Sequence, residues 1–179
     1  MEDLELYDAI KIIAQTNNYS PVIQSIAQSI CDNGLCRENV KRVLDKYGIS
    51  NLNELKNEFL DFIINYIEIV LDDHVVSEKE SKNVILLKTC FNIKEGDFYK
   101  FRYGKVSELL HRQFERIYSD GVVTNEEEIH KFEIQDLFDL SYDQFLKFKK
   151  NDPLINEFYI KPFLCHSVDT NVGKQLTRK

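Results

Sequence analysis

Two short acidic loops contain the residues of this chain whose types and spacing could do chemistry. The first loop carries Asp73 and Glu80, and the second carries Asp120 and Glu127. If both loops meet at one edge of the fold, the four carboxylates raise one another's pKa unless a cation neutralises them. Oxygen ligands alone suit Ca²⁺ or Mg²⁺ rather than zinc. These four residues are therefore a candidate site for a divalent cation.

The surroundings of the two loops refine this prediction. Glu68 and Glu115 precede the loops by one to two helical turns and could support the four ligands from behind. Neither loop has the D-x-[DN]-x-[DN]-G spacing with a glutamate at the twelfth position, which excludes an EF-hand. The predicted cation site is therefore one shared between two loops.

The elements that position the loops repeat along the chain at a spacing of 47 residues. The aligned pairs are identical and include Asp73 with Asp120, Glu80 with Glu127, Phe91 with Phe138, and Phe98 with Phe145. A fixed period of this kind predicts two copies of one helical unit packed on each other. A third, degraded copy around residues 32–49 is a separate hypothesis, because its internal spacing is three residues shorter.

A purely structural interpretation of the loops competes with the cation site. Ser77 and Glu80, like Thr124 and Glu127, fit the S/T-x-x-E capping box, in which each side chain bonds the backbone of the other residue. The aspartates that open the two loops could simply bond their own backbone in turns. The paired valines, 75–76 and 122–123, would then anchor each turn in the core.

Composition and charge narrow the class of protein. Glycine and proline are scarce, with six and three residues, which favours helices over a sheet protein with many turns. No apolar run reaches the roughly 18 residues of a spanning helix, and the acidic N-terminus is unlike a secretory leader. We therefore expect a cytoplasmic protein with no membrane span. The four cysteines are too few for a disulfide scaffold.

The charge distribution argues against nucleic acid as a partner. The net charge is −7, and the basic end 167–179 contributes +2, so the rest of the chain carries −9. An acidic body repels phosphate backbones.

Hydrophobic periodicity predicts a single all-α bundle of about eight to ten helices. We divide the chain into N-terminal helices packed on the core (1–50), the tandem-repeat core (51–150), and a C-terminal docking segment with a mobile basic tail (151–179). Apolar residues at helical spacing predict helices over 4–14, 21–31, 37–47, 52–71, 77–90, 95–101, 106–118, 124–138 and 141–149. The helix over 124–138 has Ile129, Phe132 and Leu137 as its apolar positions.

The doubled Asp-Gly-x-Val-[ST]-x-x-Glu pattern between amphipathic helices resembles the TerB family of tellurite-resistance proteins and TerB-like domains. The resemblance covers about residues 55–150 and implies an all-helical fold with internal pseudo-symmetry. It also implies acidic residues that bind a divalent metal, which by position are Asp73, Glu80, Asp120 and Glu127. Stress response, phage defence and membrane-linked assemblies are the roles it implies, without established catalysis. The sequence departs from the pattern of that family at two points. His74 stands in place of the glycine, and small alanines are absent before the aspartates.

Other groupings give weaker predictions. Cys31, Cys36, Cys165 and His166 could form a zinc site if the two ends of the chain meet. Buried thiols are the alternative for these cysteines. His111 and His130 are expected to be solvated or core histidines. No nucleophile elbow, phosphate loop or HExxH motif is present in the sequence.

The sequence thus predicts a non-catalytic TerB-like module that binds a protein partner, with a divalent cation such as Ca²⁺ or Mg²⁺ as an optional cofactor. The first alternative is a pure scaffold domain without metal, and the second is a metal-assisted hydrolase that uses the same carboxylates. Peripheral membrane association stays open, and the sequence does not predict the oligomeric state.

Overall fold

The computed structural model describes residues 6–72, 75–153 and 155, and over these residues the fold is all-helical. The predicted fold class is confirmed. The elements in chain order are α1 (Leu6–Thr16), α2 (Pro21–Asn33), α3 (Arg37–Lys46), a 3₁₀ turn (Leu52–Leu55), α4 (Lys56–Val70), α5 (Glu78–Cys90), α6 (Asp97–Phe101), α7 (Tyr103–Ile117), α8 (Asn125–Leu137) and α9 (Tyr142–Asn151). No helix in these ranges is long and apolar enough to cross a bilayer.

Helix α4 lies at the centre of the molecule because it is apolar on most of its circumference. It contacts α1, α5, α6 and α7. Phe59 of α4 stacks on Phe91 with ring centroids 4.3 Å apart, and Phe62 meets the same ring edge-on at 5.9 Å. The buried apolar residues form one cluster that extends from Leu6 to Ile155. The N-terminal helices and the two later helical pairs thus share a core.

The helix starts follow the capping residues in the sequence. Ser20 caps α2, with Pro21 in its first turn. The predicted start of α7 was wrong, since the helix begins at Tyr103 rather than at Val106. The break falls instead at Arg102, whose φ of −135° is non-helical and whose guanidinium holds Asp61 at 2.6 Å. Gly104 is tolerated in the first turn, where backbone N–H groups lack intrahelical partners.

The helix bounds recur at the predicted spacing. Helices α4 and α7 are both 15 residues long, and α7 begins and ends 47 residues after α4. Helices α5 and α8 are both 13 residues long and are offset by the same 47 residues. The two pairs therefore have the same helix lengths and spacing, while their common origin stays a hypothesis.

A shared C-terminal cap extends the comparison to α3. Gly48, Asn92 and Asp139, which follow α3, α5 and α8, have left-handed φ values of 69°, 55° and 48°. In each case the next residue donates its N–H to the carbonyl five positions back, at 2.9 to 3.0 Å. This is the Schellman arrangement. The N-cap residue of α3, however, is Cys36, which makes no side-chain capping bond, so the third copy also stays a hypothesis.

Candidate functional site

The first acidic loop is joined to α5 by a complete capping box. Oγ of Ser77 accepts the N–H of Glu80 at 3.2 Å, and Oε2 of Glu80 accepts the N–H and the hydroxyl of Ser77 at 2.9 and 2.7 Å. The glutamate is 7% exposed. One of its carboxylate oxygens is therefore committed to the start of the helix.

The second loop repeats this geometry at α8. Oε2 of Glu127 accepts the N–H and the hydroxyl of Thr124 at 2.7 and 2.9 Å, and the hydroxyl accepts the N–H of Glu127 at 3.2 Å. Oδ1 of Asp120 accepts the N–H of Val122 at 3.0 Å. This local bond makes the turn in which Gly121 adopts a φ of 80°. The structural interpretation of Glu80, Asp120 and Glu127 thus accounts for their observed bonds.

The two loops approach each other in the fold. Val75 of the first loop lines the same cavity, of about 520 Å³, as Thr124 and Glu127 of the second. Asp73 lies outside the described residues, so the predicted four-carboxylate cluster stays a prediction. Among the residues that the structure does describe, no three acidic, histidine or cysteine side chains are grouped as metal ligands.

The two supporting carboxylates take part in ion pairs. Glu68 of α4 pairs with Arg112 of α7 at 2.5 Å, and this bond links the first helices of the two pairs. Glu115 lies 3.5 Å from Nε2 of His111, whose Nδ1 is 2.8 Å from Asp152. Both glutamates thus have a role in packing, in addition to the predicted role near the cation.

The alternative zinc site falls partly outside the described residues. Cys165 and His166 are not described, so this grouping stays a prediction. Cys31 donates its thiol to the carbonyl of Tyr7 at 3.6 Å, and burial raises the pKa of this thiol. Cys36 is partly buried at the start of α3.

The expectation that both valines of each loop enter the core was wrong. Val75 and Val122 are 66% and 64% exposed, whereas Val76 and Val123 pack against the core. Successive side chains of an extended segment point to opposite sides, so only one valine of each pair reaches the interior. The other is left at the surface.

Of the three apolar positions predicted for α8, only Leu137 is buried. Ile129 and Phe132 are 58% and 62% exposed, while His130, Lys131 and Ile134 face inward. A rule that places every large apolar residue inside cannot detect this register. The 47-residue alignment contained the signal, because it places Lys131 on an apolar position of α5 and Ile129 on a charged one.

The buried polar side chains of α8 have partners. Lys131 bonds Glu128 at 2.5 Å, and its ammonium lies 5.6 Å from the centroid of the Tyr118 ring. The two ring nitrogens of His130 lie 3.4 Å from carboxylate and amide oxygens of Glu133 and Gln113, respectively. These contacts stabilise a register that keeps two apolar residues in water.

A groove results between α7, α8 and the first acidic loop, and we call it the α7–α8 groove. Its apolar lining includes Val75, Ile117 and Ile129, and Phe132 lies one turn beyond Ile129 on α8. Its charged lining consists of Glu126, Glu127, Glu133 and Arg116. Three carboxylates against one guanidinium leave the rim negative.

Comparisons with known proteins do not assign the chain to a family. No family model, no curated protein and no solved structure matches it. The TerB resemblance therefore stays an expectation based on the doubled motif.

Proposed function

We propose that this protein is a non-catalytic, TerB-like helical module that acts through a protein partner in stress response or phage defence. The doubled loop motif supports the TerB-like part of the proposal. The α7–α8 groove supports the partner, and it is the observation on which the proposal chiefly depends.

Exposed apolar side chains that surround an open cavity are typical of interaction surfaces. Val75, Ile129 and Phe132 are each more than half exposed, and two of them line the groove. Large apolar side chains in water lower solubility, and here buried polar residues occupy the inward positions of the same helix. A partner that covers these side chains would gain roughly 25 cal/mol per Å² of apolar surface.

Affinity capture with matched surface variants tests this function. The groove variant is Ile129→Glu/Phe132→Glu, and the control is Tyr7→Glu/Ile12→Glu, which changes exposed apolar residues of α1. We expect a partner that co-purifies with the wild type and the control and is lost with the groove variant. A co-purified protein retained equally by all three forms would contradict the assignment of the groove.

We further propose that the paired acidic loops bind a divalent cation, Ca²⁺ or Mg²⁺. The proximity of Val75 to Thr124 and Glu127 supports this, because it brings the first loop to the start of α8. Titration of Ca²⁺, Mg²⁺ and Mn²⁺ by calorimetry and thermal unfolding tests the site. A cation at 100 times its Kd should stabilise the fold by about 2.7 kcal/mol.

Two double variants distinguish cation binding by the loops from a general effect of surface charge. Asp73→Asn/Asp120→Asn should abolish the stabilisation, whereas the control Asp8→Asn/Asp45→Asn removes two exposed carboxylates elsewhere and should preserve it. If no cation stabilises the wild type, the metal-free scaffold is the better description. Turnover of a phosphoester substrate that disappears in the loop variant would instead favour the metal-assisted hydrolase.

A further inference from the structure

A second cavity, of about 350 Å³, lies between α3, the segment that follows α3 and the end of α5. We call it the α3–α5 cavity, and none of its described lining residues borders the α7–α8 groove. Its apolar lining consists of Val40, Leu44, Ile49, Leu52 and Cys90. Burial raises the pKa of the Cys90 thiol, which therefore stays neutral near pH 7 and forms part of the apolar floor. The volume and the lining are those of a site for a small organic ligand.

Three charged side chains line the cavity along α3. Arg37, Lys41 and Asp45 follow one another at intervals of four residues, so they lie on the same side of the helix. The two cations at this spacing repel each other. At a rise of 1.5 Å per residue, Arg37 and Asp45 are about 12 Å apart along the helix. The cavity therefore has a positive end and a negative end, with a net charge of +1.

The two cations of the positive end are not neutralised by the described part of the chain. Nε of Arg37 donates to the carbonyl of Thr89 at 3.0 Å, which ties the guanidinium to the end of α5. Glu38 does not line the cavity, and bonds from its own backbone and from the Cys36 thiol lower its pKa. Among the residues that the structure describes, no carboxylate forms an ion pair with Arg37 or Lys41. An anion bound between the two cations would relieve their repulsion.

We propose that the α3–α5 cavity binds a small amphipathic carboxylate, with its head group on Arg37 and Lys41 and its apolar chain over Leu44. The terminal N–H groups of a guanidinium suit the two oxygens of a carboxylate. A net charge of +1 is neutralised by a monoanion, which favours a carboxylate over a phosphate dianion. Asp45 repels the head group from the far end of the cavity, and the distance of about 12 Å suits a medium-length chain. The site is independent of the proposed function.

A methyl NMR titration of the full-length protein with sodium octanoate tests this inference. Isoleucine methyl groups are ¹³C-labelled, and Ile49 is the reporter inside the cavity. Ile12 and Ile129, which are exposed on α1 and α8, report non-specific contact with the chain. Octylammonium has the same chain with the opposite charge, and acetate has the head group without the chain. We expect a saturable shift of Ile49 with octanoate alone, while Ile12 and Ile129 do not change.

Matched charge variants assign the head group to its cations. Arg37→Gln/Lys41→Gln should weaken octanoate binding by at least about tenfold, because it removes charge-assisted bonds to the carboxylate. The control Arg42→Gln/Lys46→Gln removes the other two cations of α3, which do not line the cavity, and should preserve binding. The comparison of octanoate with octylammonium in the wild type tests the same point without any substitution.

Four results would overturn the inference. They are the absence of a saturable Ile49 shift with octanoate, shifts of equal size at Ile12, Ile129 and Ile49, binding of octylammonium as tight as that of octanoate, and equal losses in the two charge variants. None of them bears on the affinity-capture experiment, so the proposed ligand and the proposed protein partner fail independently.

Discussion

Replacing Asp139 with asparagine should destabilise the protein through the buried cation of Lys88. Lys88 belongs to α5, and its Nζ lies 2.8 Å from Oδ1 of Asp139, at the end of α8. The ammonium is also 3.4 Å from the carbonyl of Asp136 and 5.8 Å from the centroid of the Phe98 ring. Asparagine accepts the left-handed φ of position 139, so the substitution tests the charge rather than the backbone.

The expected loss of stability depends on two opposing contributions, the Coulomb attraction of the pair and the desolvation of its ions. Two unit charges 2.8 Å apart attract by about 1.5 kcal/mol in bulk water and about 6 kcal/mol at an effective dielectric constant of 20. Desolvation of the ions offsets most of this attraction. The Lys88 side chain is 9% exposed and that of Asp139 is 32% exposed, so water reaches only the carboxylate readily. We expect Asp139→Asn to lower the free energy of unfolding by about 1–3 kcal/mol.

A double-mutant cycle measured by urea unfolding isolates the pair. Lys88→Met keeps much of the aliphatic volume without the charge, so the double variant should be within about 1 kcal/mol of the wild type. The cost of Asp139→Asn should therefore largely disappear once Lys88 is replaced. Additive losses from the two single variants, or no loss from Asp139→Asn, would refute a buried and coupled pair.

The pH dependence gives a second readout of the same pair. Burial lowers the pKa of Lys88, and loss of the Asp139 carboxylate should lower it further. In Asp139→Asn, as the pH rises, Lys88 therefore loses its proton in the folded state before it does so in the unfolded state. Below the ordinary lysine pKa the unfolded state then binds more protons than the folded state, so stability rises with pH. The cost of the substitution should shrink as the pH rises toward about 10. A cost that is constant over this range would contradict the explanation.

Three further predictions concern the caps, the surface and a buried tyrosine. Ser77→Ala and Thr124→Ala should each lower the free energy of unfolding by about 0.5–2 kcal/mol in urea, because each removes one capping box. Phe132→Ser should change the free energy of unfolding by less than about 0.5 kcal/mol. Phe138→Ala, in the core, should lower the same free energy by about 3–5 kcal/mol. Burial raises the pKa of Tyr19, so stability should fall above about pH 10, where the unfolded state loses that proton first, and Tyr19→Phe should reduce this fall.

Each of these three predictions has a result that would contradict it. Capping variants as stable as the wild type would mean that the observed bonds contribute nothing. A large cost for Phe132→Ser would contradict the exposure of this side chain in the folded protein. An alkaline loss of stability unchanged by Tyr19→Phe would assign that loss to other groups.

Much of the fold was predictable from the sequence because its local signals agree with one another. Serine or threonine followed three residues later by glutamate or glutamine fixes the starts of α5, α8 and α9. At the end of α3 the sequence and the structure also agree, because Gly48 has the positive φ that glycine allows most easily. Apolar stripes predicted α4 as a core helix, and its burial confirms this.

The surface of α8 was not predictable from hydrophobicity alone. Ile129 and Phe132 follow the helical period, yet the capping box and the packing of Ile134 set a register that exposes them. Lys131 is tolerated inside because its ammonium reaches Glu128 and the Tyr118 ring. Such pairings depend on tertiary distances, which a single sequence does not contain. The α7–α8 groove therefore emerged only from the structure.

Site-specific photo-crosslinking in cells that naturally contain this protein tests whether a partner binds at the α7–α8 groove. A photoreactive phenylalanine replaces Phe132 beside the groove or, as the control, Tyr7 on α1. We expect a discrete crosslinked complex with another protein from position 132 under stress or phage challenge, and none from position 7. Crosslinks from both positions in equal yield, or from neither, would contradict the proposal that the α7–α8 groove is the surface that binds a partner.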